Sequence, residues 1–151
     1  MKIQNVEVFT IWTHLCSNNE FIATNESFCI HTEDRELKKI IQDFTDCLKD
    51  ENKHLDKLLR LKGITLSPSL AVNSDVQLEN GANCTDTGIS TALSMNIAAS
   101  LVTTSKALGQ STSEFPLLMY GHFHMKKAVL GAKLLQLSKD KRWLVLISTT
   151  P

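Results

Sequence analysis

The sequence predicts an all-α protein: an up-down four-helix bundle made of two helical hairpins joined by one long crossover. Three observations carry this. Four stretches place apolar residues at helical spacing, two of the links between them are very short, and the third link is over 20 residues long and poor in helix formers. With 151 residues, 42% hydrophobic and 21% charged, the chain has the balance of one globular domain spanning residues 1–151. A domain of that size removes roughly 68–70% of its unfolded surface from water, enough for a core without disulfides or metal.

The first helix is expected over residues 6–31. Phe9, Trp12, Cys16, Ala23 and Ile30 recur at spacings of three, four or seven, with Val8, Ile11, Leu15, Ile22 and Cys29 beside them, which makes a wide apolar face. Thr32, followed by Glu33, Asp34 and Glu36, supplies a capping hydroxyl and then acids over the positive end of a second helix, residues 33–62. Its stripe is Leu37, Ile41, Phe44, Leu48, Leu55 and Leu58, and Gly63 offers the left-handed stop. This helix holds eight of the 16 basic and eight of the 16 acidic residues, so its outer face is solvated.

The third helix, residues 86–109, carries only Asp86 and Lys106 as charges. Ile89, Leu93, Ile97, Leu101, Thr104 and Leu108 form its stripe, with Ala, Ser and Thr between, which implies burial on more than one side, in the bundle centre or against another subunit. Gly109 is its expected end. Ser111 and Glu114 then read as a capping box opening the fourth helix, residues 112–138, with Leu117, Leu118, Met125, Ala128, Val129, Ala132 and Leu135 as its stripe. The crossover, residues 63–85, is long enough to run the length of a bundle of about 40 Å, which makes the topology ferritin-like. The tail, residues 139–151, is charged and then apolar, with Trp143 as a packing anchor.

Composition excludes several functions. Sixteen basic against 16 acidic residues give zero formal charge, which leaves no basic face for nucleic acid. The uncharged run from Thr87 up to Lys106 is long enough to span a bilayer but holds eight Ser/Thr and Asn96, so it reads as a helix outside the membrane. Residues 1–16 lack a signal-peptide pattern, so synthesis in the cytoplasm is expected. Cys16, Cys29, Cys47 and Cys84 have no paired spacing and read as reduced thiols. Six dispersed glycines make no phosphate-binding loop.

Several segments resemble a known family: VFTIW at 8–12, CIHTED at 29–34 with LKK at 37–39, residues 92–105, GHFHMKK at 121–127 and GAKLLQLSKDKRWL at 131–144. Together with GITLSP at 63–68 they are similar to uncharacterised ferritin-like proteins of spore-forming Gram-positive bacteria, a domain of unknown function related to the coat F group and commonly labelled as spore coat proteins. The resemblance covers residues 6–146 and implies an association with the spore or its coat. Relatives follow the final Trp-Leu with a proline-rich tail, where this chain has LISTTP at 146–151.

A carboxylate di-iron centre needs about four carboxylates and two imidazoles converging in mid-bundle. This chain offers one Glu-x-x-His, Glu51 with His54, on the second helix, and Glu26 or Glu20 on the first. The third helix has Asn96 but no Glu, and the fourth has His122 and His124 without a preceding carboxylate. A single zinc or iron ion on Glu51, His54, His124 and Glu26 is the most this set could hold. The competing reading needs no metal: Glu51 reaches the surface or accepts a hydrogen bond from His14, His54 is solvated, His124 bonds a hydroxyl of the third helix or Asn96, and His31 caps the first helix.

The favoured expectation is therefore a non-enzymatic, spore-associated structural or interaction protein without a cofactor. It would act through its surfaces, on other spore proteins or as a homodimer through the third helix. The alternative is a metal-binding or redox bundle with a reduced ligand set. A third reading, a small-molecule carrier, rests on Ala92, Ala98, Ala99, Gly121, Ala128 and Gly131, which either leave a cavity or bring helices closer.

Overall fold

The computed structural model describes residues 5–64 and 85–144. Four helices fill them: α1 (Asn5–His31), α2 (Arg35–Leu61), α3 (Asp86–Gln110) and α4 (Glu114–Asp140). They form a four-helix bundle in which α1 packs on α2 and α3, and α4 packs on α3 and α2, leaving α2 and α3 on the diagonal. Of the expected crossover, residues 63–85, the part from residue 65 to Cys84 lies outside the described residues, as does the tail beyond residue 144. No described helix is long and apolar enough to cross a membrane.

Local chemistry sets the ends. The Thr32 hydroxyl donates to Asp86 Oδ1 (2.6 Å), which ties the α1–α2 turn to the start of α3. Asp34, not Thr32, is the N-cap of α2: its carboxylate accepts from the Leu37 amide at 2.9 Å, and the helix starts at Arg35 rather than at 33. A carboxylate holds that amide more firmly than a hydroxyl does, so Thr32 is left to accept from the Asp34 amide at 3.2 Å. Gly63 stops the chain at φ +77° as expected. The expected capping box at Ser111 does not form, because Ser111 ends α3 and its hydroxyl turns back to the Ala107 carbonyl (2.8 Å). Helix α3 thus runs past Gly109 to Gln110, and α4 runs two residues past Ser138 before Lys141 and Arg142 turn the chain.

The α2 stripe is buried as read: Leu37, Ile41, Phe44, Leu48 and Leu55 are fully enclosed and Leu58 is buried, with Leu59 beside it enclosed as well. The stripes of α1 and α4 are turned relative to expectation. On α1 the seam is Ile11, His14, Leu15, Asn18, Asn25 and Phe28, while Phe9 (63% exposed) and Ile30 (81%) face outward. On α4 it is Tyr120, Phe123, Lys127, Leu130, Leu134 and Leu137, while Leu118 and Met125 are each 65% exposed. Both helices bury polar residues on the seam, and those residues break the apolar pattern by which a seam is read. Helix α3 is buried on one side only within the described chain, leaving Met95, Ala98, Ala99 and Val102 exposed.

The core has two apolar clusters. One gathers Phe28, Leu37, Phe44, Leu93, Ile97 and Leu134, with Trp143 packed against it, and the other gathers Ile11, Leu15, Leu55, Leu59, Ala107 and Phe123. The α3–α4 contact is close: a Cβ added at Gly131 would lie 3.5 Å from Ile97 and one at Gly121 3.9 Å from Leu108. Those glycines bring the helices together rather than opening a cavity between them.

Candidate functional site at the bundle centre

Between the two apolar clusters the seam turns polar. Glu51 falls on the buried stripe of α2 because it follows Phe44 by seven residues and Leu48 by three, and Lys127 occupies the equivalent place on α4, between Phe123 and Leu130. Both are 0% exposed, and Lys127 Nζ donates to Glu51 Oε1 at 2.9 Å. The same ammonium donates to the Ser100 carbonyl of α3 at 3.3 Å. From α1, His14, 1% exposed, lies 3.2 Å from Glu51 Oε1 through Nε2. A carboxylate oxygen only accepts, so the imidazole proton sits on Nε2. All four helices thus meet at one ion pair, α1 through the Glu51 carboxylate and α3 through the Lys127 ammonium.

Three atoms of this cluster have no hydrogen-bond partner: Glu51 Oε2, His14 Nδ1 and Ser100 Oγ. The surroundings are ordered on either side. His14 stacks on Tyr120 with ring centroids 6.0 Å apart, and burial, with the charges of Glu7 and Glu51 adding to it, pushes the Tyr120 phenol up to about 12. Burial likewise pushes the Cys47 thiol up to about 11, so it is protonated and inert at neutral pH. One turn along, Asn18 donates to Asn52 and Asn52 to Asn19, each at 3.0 Å, joining α1 to α2 through amides.

The expected metal ligands do not converge. Glu51 points inward, against the expectation that it reaches the surface, since the Lys127 ammonium lies inside to receive it. His54 is on the outer side, its Nδ1 donating to the Asp50 carbonyl at 2.9 Å and its ring edge-on to Phe123. His124 donates through Nδ1 to the Thr104 hydroxyl at 3.1 Å, the α3 contact that the sequence suggested, and Thr104 in turn donates to the Ser100 carbonyl. Glu26, Glu20 and His122 are exposed. Among the described residues no three His, Cys, Asp or Glu side chains are grouped to hold a metal ion. His31 closes α1 by bonding the Ser27 carbonyl at 2.8 Å. Cys16, Cys29 and Cys47 are free thiols, and Cys84 lies outside the described residues. Lys127 is the residue that sequence reasoning missed. The signal was present: Tyr120, Phe123, Lys127, Leu130, Leu134 and Leu137 alternate by three and four, with one lysine inside the run.

The chain's family follows from comparison with known proteins, since residues 1–146 match the family described as Protein of unknown function (DUF3231). The chain belongs to the DUF3231 family. It is 34% identical over 142 residues to the uncharacterized protein YvdQ of Bacillus subtilis (strain 168), covering 92% of this chain and 84% of YvdQ. It is also similar to a solved structure, a "putative spore coat protein" of Bacillus halodurans C-125, at 36% identity and a TM-score of 0.84, covering 100% of this chain and 97% of that one. The DUF3231 chain therefore shares its four-helix fold with a relative named for the spore coat, as the resemblance of its segments implied.

Proposed function

We propose that this DUF3231 chain is a non-enzymatic structural or interaction protein of the spore, with no resident metal. The observation that carries this reading is the Lys127 ammonium on Glu51, 2.9 Å away. A di-iron ferritin-like bundle uses inward carboxylates at mid-bundle to bind cations, and here the central carboxylate holds a cation that belongs to the chain. The name of the Bacillus halodurans relative supports a place in the spore coat.

A protein without a reaction centre acts through its surfaces. The outer face of α3, with Met95, Ala98, Ala99 and Val102, has Lys106 as its nearest charge on that helix and suits a second copy of the chain. Elemental analysis of protein expressed in iron- and zinc-supplemented medium is expected to find no stoichiometric metal. One ion per chain, lost in both Glu51→Ala and His124→Ala, would instead establish the metal-binding alternative. Light scattering is expected to show a larger particle for the parent protein than for Val102→Asp. A fluorescent fusion in a spore-forming host is expected at the spore.

A further inference from the structure

A groove runs between α2 and α4, on the side of the bundle away from α1 and α3. Two adjoining cavities of about 510 and 540 Å³ open along it and share Asp43 and Lys133. Its floor is apolar, with Cys47 and Leu130 in the first cavity and Ile40 and Leu137 in the second. Met125 (65% exposed) and Val129 (48%) stand on its α4 rim. The walls carry opposite charge. Asp43, Asp46 and Asp50 lie on α2, facing Lys126 and Lys133 on α4, and among the described residues neither lysine makes an ion pair. Asp43 and Asp50 are held only by exposed partners on their own helix, Lys39 at 2.8 Å and His54 at 3.8 Å.

We propose that this groove is an interface between two copies of the chain, separate from the α3 face. The argument is one of symmetry. Helices α2 and α4 are antiparallel, because Lys141 at the end of α4 pairs with Asp34 at the start of α2 at 3.1 Å. A two-fold axis parallel to the helices lays α2 of each copy on α4 of the other at equal height. Asp43 then meets the level of the second copy's Lys133, and Asp50 that of its Lys126. Towards the other end α2 carries Arg35 and Lys39, with the acidic Glu36 between them, and α4 carries Asp140, so the basic residues of that wall still meet an acidic residue on the other. A two-fold axis across the helices would set aspartate on aspartate, and such like-charge contact selects against that arrangement.

The area is sufficient. Two helices of 27 residues side by side present about 40 Å by 20 Å, or roughly 800 Å² per copy, the size of a standard specific interface. Attraction comes from enclosing Met125 and Val129, and the charged walls set register and approach.

The test uses full-length protein carrying Val102→Asp, so that the α3 face does not contribute, in sedimentation velocity at low salt. This protein is expected to dimerise, and to do so about tenfold or more weakly in 0.5 M salt. Asp43→Lys with Asp46→Lys makes both walls basic, and Lys126→Glu with Lys133→Glu makes both acidic. Each pair of changes is expected to weaken self-association by about 100-fold. An equimolar mixture of the two variants is expected to dimerise again, which also shows that both are folded. A Val102→Asp protein that stays monomeric at every concentration, or variants that dimerise like their parent, would overturn the proposal. Failure of the α3 interface is read separately, as self-association that Val102→Asp leaves unchanged at each salt concentration.

Discussion

Glu51 Oε1 accepts from Lys127 Nζ at 2.9 Å with both side chains wholly enclosed, and that one oxygen also receives His14 at 3.2 Å. Two charges taken out of water are retained because each answers the other. Removing one partner strands the second. Lys127→Ala and Glu51→Ala are each expected to lower unfolding stability by about 3–5 kcal/mol, read from urea transitions. The double variant Glu51→Leu with Lys127→Met, which leaves no buried charge, is expected to recover most of that loss. Additive single-variant losses would contradict the pairing.

Asn25 of α1 is 0% exposed and neither its amide nitrogen nor its amide oxygen has a partner. Orphaned buried polar atoms cost about 1–3 kcal/mol. Asn25→Leu, close in volume and beside the apolar cluster around Phe28, is expected to raise the melting temperature. A fall measured by calorimetry would mean that the amide is satisfied by solvent.

The Ser90 and Ser138 hydroxyls lie 2.7 Å apart and tie the start of α3 to the end of α4 inside the core. Ser90→Ala is expected to cost about 1 kcal/mol, because it leaves Ser138 with no cross-helix partner. Adding Ser138→Ala should cost little more, and a double-mutant cycle in urea reads the difference.

Asp34 sets the pH dependence at the α1–α2 turn. Burial raises its pKa, but the Leu37 amide and the Lys141 ammonium outweigh burial and hold it below the usual carboxylate value of 3.8. A depressed folded-state pKa contributes stability above the unfolded value that is lost as pH falls through the folded one. The stability difference between parent and Asp34→Ala is therefore expected to be about 1 kcal/mol at pH 7 and to vanish towards pH 2. A difference that persists at pH 2 would assign the effect to something other than the charge.

The fold was legible because its evidence is local. Four helices, their short links and the Gly63 stop depend on spacing and cap chemistry that a single sequence carries. The seams of α1 and α4 were not legible because His14, Asn18, Asn25 and Lys127 are buried. A polar residue counts against burial until its partner is known, and the partners lie 37 residues away for His14 and 76 for Lys127. His14 beside Glu51 and His124 on an α3 hydroxyl could be anticipated from antiparallel register. Lys127 was missed although Tyr120, Phe123, Leu130, Leu134 and Leu137 bracket it at spacings of three and four, because a lysine inside an apolar run reads as a break in the seam.

The same ion pair bears on how the chain reaches its native state. Its members belong to different hairpins, so either hairpin closing alone leaves a charge that is still hydrated. Burial of Glu51 and burial of Lys127 become tolerable only in the same event, when α4 docks on α2. A half-docked bundle, with one hairpin sliding on the other, would enclose a bare carboxylate or a bare ammonium. The centre of the bundle thereby disfavours misregistered packings that an all-leucine seam would accept.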